Sequence, residues 1–129
     1  MELHLKIIGA ILIVLALVHI IFPRYFNWKT ELAGIALINR QMMYVHTFFI
    51  ALTVLLTGLL CVSSAYDMVH TRLGGRLALG LFVFWAMRLV IQFFYYSAAL
   101  WKGKRVETTI HILFSFLWTY LSVTFFLIF

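Results

Sequence analysis

The run Arg40-Gln41-Met42-Met43-Tyr44-Val45-His46-Thr47-Phe48-Phe49 passes from a basic, polar lead-in straight into an apolar stretch that ends only at Val62, and a histidine goes in with it. A helix rises about 1.5 Å per residue and a bilayer holds about 30 Å of hydrocarbon, so about 20 apolar residues cross it. The stretch 42–62 has that length, and 3–22, 76–96 and 108–129 match it. With 65% hydrophobic, 18% aromatic and only 11% charged residues, the 129-residue chain leaves no segment with the composition of a soluble domain. The expected fold is an all-α integral membrane protein, one membrane domain over 1–129, built as an antiparallel four-transmembrane-helix bundle.

The connections support this division. The first run is too long in its apolar core for a signal peptide, and Ile20-Ile21-Phe22-Pro23 offers no small-residue cleavage site. Pro23 is expected to end that helix, with Arg24-Tyr25-Phe26-Asn27-Trp28-Lys29 as headgroup anchors. Trp28, Leu32 and Ile35 then recur at helical spacing behind Asn27, an N-cap residue type, which predicts an interfacial helix over about 28–38. Ser63 to Gly75, with its Gly74-Gly75 pair, reads as a solvated turn. Ser97 to Glu107 carries Trp101 and Lys102-Gly103-Lys104-Arg105, a second boundary cluster.

The net charge of +6 sits almost wholly in these connections, so it speaks for anionic headgroups of a lipid bilayer and against a nucleic-acid partner. Arg24, Lys29, Arg40, Lys102, Lys104 and Arg105 flank the first and third connections, against Lys6, Arg72 and Arg76 on the other side. The positive-inside rule then places both termini outside, in a bacterial inner membrane. Cys61, the single cysteine, has no intrachain disulfide partner and reads as a small buried hydrophobe.

Polar residues recur at one depth. His19, His46, Gln92 and His111 each lie about six or seven residues from the middle of their runs, all toward the cytoplasmic side. Arg88 is one turn deeper than Gln92 on the same face. Each sits on a stripe of small or hydroxyl residues: Gly9, Leu12, Ala16 and His19; His46, Ile50, Thr53, Thr57, Cys61 and Ser64; Leu81, Trp85, Arg88, Gln92 and Tyr95; Thr108, His111, Ser115, Thr119 and Ser122. Such stripes favour close helix packing and are expected to face the bundle interior, with Phe114, Phe116 and Phe125 mostly elsewhere. A single histidine near the end of a span is ordinarily an interfacial residue bonded to a carbonyl or water. Three at one level, joined by Gln92, point to a shared site.

Arg88 sharpens the chemistry, because an ion in hydrocarbon costs at least a few kcal/mol unless paired. The acidic residues are Glu2, Glu31, Asp67 and Glu107, and the last is about 13 Å of helix rise from the level of Arg88. Its counter-charge is therefore expected from an external anion, from a lipid headgroup reached by snorkelling, or from Glu107 through water.

Two occupants suit the layer. One is a metal ion, zinc, copper or iron, on His19, His46 and His111 with Glu107 as fourth ligand, since neutral imidazole is the commonest metal ligand. The other is an anionic amphipathic ligand held by Arg88, Gln92, Tyr95 and Arg40. Either would serve a membrane oxidoreductase or a lipid-modifying enzyme. Haem ranks behind both, because Gly9, Gly58 and Gly80 lie far from the histidines and leave little room there for a macrocycle. The same histidines would also suit a proton, ion or small-molecule transporter or channel, working as a homo-oligomer, and the chain also fits a structural subunit of a larger membrane complex. In architecture, and in Arg40 with Val45-His46-Thr47-Phe48, the chain resembles the membrane-associated eicosanoid and glutathione metabolism proteins, which implies a four-span bundle with outer or lumenal termini. The similarity ends at Phe49, where that family's motif continues with Asn and Glu, so glutathione handling is not carried over.

Overall fold

The structure, a computed structural model, describes residues 1–95 and 103–129. The expected end of the third run at Tyr96 and the Trp101-Lys102 cluster lie outside the described residues. Within them the chain is helical and has no strand: α1 (Glu2–Tyr25), α2 (Trp28–Glu31), α3 (Leu37–Ser63), α4 (Ala65–His70), α5 (Arg72–Phe94) and α6 (Arg105–Ile128). Among the described residues α1, α3, α5 and α6 are long and apolar enough to cross a membrane. Long apolar runs take this form because a helix pairs nearly every backbone N–H and C=O inside the segment. The chain divides into two compact units, Leu3–Ala65 and Tyr66–Phe129, the latter with Met1–Glu2.

In the N-terminal unit α1 and α3 meet backbone to backbone. A Cβ on Gly9 would stand 2.7 Å from the Gly58 carbonyl oxygen, and one on Gly58 would stand 2.9 Å from the Gly9 carbonyl oxygen. Only glycine on both helices permits that approach. Farther along α1, Ala16, Leu17 and Ile20 share a groove with Phe48, Ala51, Leu52 and Leu55, so α3 numbers fall as α1 numbers rise and the pair is antiparallel. Leu5, Ile8, Gly9, Leu12, Leu15 and Ala16 are buried on α1, as its stripe implies. On α3 the buried set is Val54, Gly58 and Cys61, while His46, Ile50 and Thr53 are exposed. The expected stripe is rotated because its hydroxyls need no interior partner: Thr57 donates to the Thr53 carbonyl at 2.8 Å on its own helix.

Three boundaries differ from expectation in this unit. Pro23 does not end α1 but lies in its last turn, where proline removes only one backbone bond; the Phe26 N–H still reaches the Phe22 carbonyl at 2.9 Å. The interfacial helix is a single turn, Trp28–Glu31, and Asn27 at its N-cap is left-handed (φ 54°) with no side-chain cap bond. Trp28 is buried and packs edge-on against Tyr44 at 5.3 Å, so one turn suffices to seat it. Leu37 rather than Met42 begins α3.

The expected solvated turn 63–75 contains α4 and the start of α5, which begins at Arg72. The Thr71 hydroxyl donates to the Asp67 carbonyl at 2.6 Å and accepts from the Gly74 N–H at 2.9 Å, closing the corner. Gly74 lies on the α4 backbone, where a Cβ would stand 2.6 Å from the Met68 carbonyl oxygen. This glycine breaks no helix; it lets one helix rest on another. Along α5 and α6 the pairs are Phe82 with Phe126 (ring centroids 5.2 Å), Trp85 with Trp118 (5.0 Å) and Gln92 with His111, so these helices also run antiparallel. Phe125, expected off the interior stripe, is fully buried.

Candidate functional site

The expected site residues fall in both units: Arg88, Gln92, Tyr95, Glu107 and His111 in the C-terminal one, His19, Arg40 and His46 in the N-terminal one.

In the C-terminal unit the structure joins Arg88, Gln92 and His111. The one-turn spacing of Arg88 and Gln92 on α5 aligns their side chains, and Arg88 Nη1 donates to Gln92 Oε1 at a long 3.4 Å. Gln92 Nε2 and His111 Nδ1, across on α6, are 2.8 Å apart. A guanidinium only donates, which fixes the amide orientation: Oε1 accepts, so Nε2 donates, so His111 accepts at Nδ1. A ring that accepts at Nδ1 holds its proton at Nε2, so whatever meets that nitrogen must be an acceptor. Donors thus run one way, from the cation on α5 to an imidazole N–H on α6. Gln92 is 8% exposed, and a broken link would leave buried polar atoms unpaired at about 1–3 kcal/mol each.

Beneath this chain is a stack. The Arg88 guanidinium lies 5.2 Å from the Trp118 ring, which stacks on Trp85 at 5.0 Å and on Phe114 at 5.4 Å. A cation over an indole contributes about 0.5–2 kcal/mol, more when desolvated, and offsets part of the cost of burying Arg88. Among the described residues both indole N–H groups are buried without a hydrogen-bond partner, so ring faces hold the stack.

A groove of about 370 Å³ runs along α6, lined by Phe93, Thr108, His111, Ile112, Ser115, Phe116 and Thr119. Ser115 and Thr119 donate to the His111 and Ser115 carbonyls at 2.7 and 2.8 Å, so they add little polarity to its wall. His111 and Thr108 are the other polar residues in its lining. Glu107 is exposed in the first turn of α6, and Tyr95, at the end of α5, is 81% exposed.

In the N-terminal unit His46 is exposed and Arg40 half-buried. His19 is half-buried, with Nδ1 2.8 Å from the Leu15 carbonyl and its ring 4.7 Å from Phe22. A carbonyl only accepts, so Nδ1 carries the proton and Nε2 keeps its lone pair. A groove of about 160 Å³ beside it is lined by His19, Ile20, Pro23, Tyr44, Thr47, Phe48 and Ala51.

Among the described residues no three His, Cys, Asp or Glu side chains form a group able to hold a metal ion. His111, with a proton on Nε2 and Nδ1 engaged by Gln92, offers no lone pair in this bonding state. Sequence reasoning passed over Trp118, Tyr44, Thr47 and Pro23. Trp118 follows His111 by two turns, and Tyr44, Thr47 and Ala51 share one face at helical spacing, so periodicity held the signal for these. Comparison of the chain with protein-family models, with curated proteins and with solved structures gives no match.

Proposed function

We propose that the chain is a four-span antiparallel membrane bundle with both termini outside, and that it binds an anionic amphipathic ligand in the groove along α6. The ligand's carboxylate or similar oxyanion sits at His111 and its apolar chain lies along Ile112, Phe116 and Phe93. One observation carries this reading: a hydrogen-bond chain from Arg88 through Gln92 reaches His111 Nδ1 in the wall of a groove otherwise lined by Phe93, Ile112, Phe116 and hydroxyl residues. His111 donates to the head, Gln92 sets the tautomer, and Arg88 supplies positive charge behind both. From Thr108 to Thr119 the groove follows about 16 Å of helix, room for an extended chain. A membrane oxidoreductase or lipid-modifying reaction would begin from this bound state. The metal reading is not carried forward, because among the described residues no group of three His, Cys, Asp or Glu side chains could hold a metal ion.

The test is photolabelling of the detergent-purified chain with a diazirine-bearing long-chain fatty acid. Label is expected in the α6 peptide, displaced by unlabelled acid and reduced about tenfold, the equivalent of 1.4 kcal/mol, by Gln92→Leu or Arg88→Met. Label that ignores both substitutions overturns the reading. Orientation is read separately in a Cys61→Ala background. Lys104→Cys is expected to resist an impermeant outside reagent and Arg72→Cys to react; the opposite pattern reverses the topology.

A further inference from the structure

Two grooves lie along α1 and α3. The part beside His19, about 160 Å³, shares Ile20, Phe48 and Ala51 in its lining with a part of about 350 Å³ that is also lined by Leu52 and Leu55. The shared residues set a small head compartment at His19 next to a larger apolar one.

The chemistry of the head compartment is one-sided. His19 spends its ring proton on the Leu15 carbonyl at 2.8 Å, so Nε2, the ring nitrogen farther from the backbone, is an acceptor. Pro23, in the same wall, has no N–H to give the residue four positions back, so the His19 carbonyl lacks its regular helical donor. The proline ring also pushes the backbone away from that carbonyl. Tyr44 and Thr47 also line this part. Among the described residues no charged side chain lines either part, so a carboxylate or an ammonium would enter without a counter-charge.

We infer that this groove is a second ligand site, selective for an uncharged amphipathic molecule whose head donates a hydrogen bond: a long-chain alcohol or a hydroxyl-bearing glyceride. The hydroxyl donates to His19 Nε2 or to the His19 carbonyl, and the alkyl chain lies against Leu52 and Leu55. This site is independent of the one along α6 and asks for the opposite hydrogen-bond polarity.

The experiment uses three diazirine probes of one chain length, with an alcohol, a carboxylate and a methyl ester head, on the full chain in detergent at pH 8, with labelled peptides read by mass spectrometry. The alcohol is expected to label α1 and α3 at least fivefold more than either other probe in the wild-type protein. His19→Phe keeps a flat ring and lowers alcohol labelling about tenfold. Pro23→Ala returns an N–H to the His19 carbonyl and lowers it about threefold, in a helix that alanine favours. Equal labelling of α1 and α3 by all three probes identifies a groove that holds any acyl chain and overturns the proposal, as does alcohol labelling unchanged in both variants. Acid labelling of α6, read in the same samples, reports on the other site separately.

Discussion

His19 and His111 are the same side chain on two long apolar helices, and their Nδ1 atoms take opposite roles. His19 donates backward to its own helix and keeps a lone pair on Nε2; His111 accepts from a neighbouring helix and keeps its proton on Nε2. The difference arises in what each ring meets first. An isolated carbonyl four residues back makes a donor of Nδ1, whereas an amide already fixed by an arginine makes an acceptor of it. Depth and residue type, which the two share, do not decide chemistry; the first bond does.

Five substitutions would break or sharpen that contrast. Gly9→Leu drives a side chain into the Gly58 carbonyl and Val62 and is expected to cost about 3 kcal/mol, seen as a large fall in the melting temperature of the detergent-solubilised protein. An unchanged melt would deny the α1–α3 crossing. Gln92→Glu is the sharpest test of the tautomer argument. A carboxylate accepts from both Arg88 and His111, forces His111 to donate at Nδ1, and is expected to cut acid labelling of α6 about tenfold, or 1.4 kcal/mol. Acid labelling that persists would mean that Nε2 keeps a proton beside the carboxylate, so that Gln92 alone does not set it. Arg88→Lys keeps the charge and loses the flat stacking on Trp118; a loss of about 0.5–1 kcal/mol is expected in stability, against none if the ring contact is incidental. Gly75→Ala, with no atom within 4 Å of the new Cβ, is expected to be neutral or to stabilise by up to about 1 kcal/mol. Gly74→Ala in the same assay should destabilise.

That last pair also marks the limit of sequence reading. Gly74 and Gly75 are the same letter twice, yet one rests on the α4 backbone and the other faces open space, and only the path of a preceding helix distinguishes them. The long helices were legible because hydropathy is a property of consecutive residues. Arg88, Gln92 and His111 were legible because one-turn spacing aligns the first two and a count of rise brings the third level with them. The α3 stripe misled for a stated reason: a hydroxyl in an apolar helix can bond the carbonyl one turn back, as Thr57, Ser115, Thr119 and Ser122 do, so polarity there does not mark the inside. The tautomers were illegible in principle, being set by partners and not by composition.

The contact of Gly9 with Gly58 has a mechanical consequence. Helices that touch at one point must part with distance from it, and His19 lies about 15 Å of rise from Gly9. At crossing angles of about 20–40°, common for membrane helices, the axes separate by about 5–10 Å over that length. On that geometry the glycine pair is a fulcrum whose tightness is expected to set the aperture at the far end. Side-chain bulk added at the pivot changes the width of a mouth it never touches.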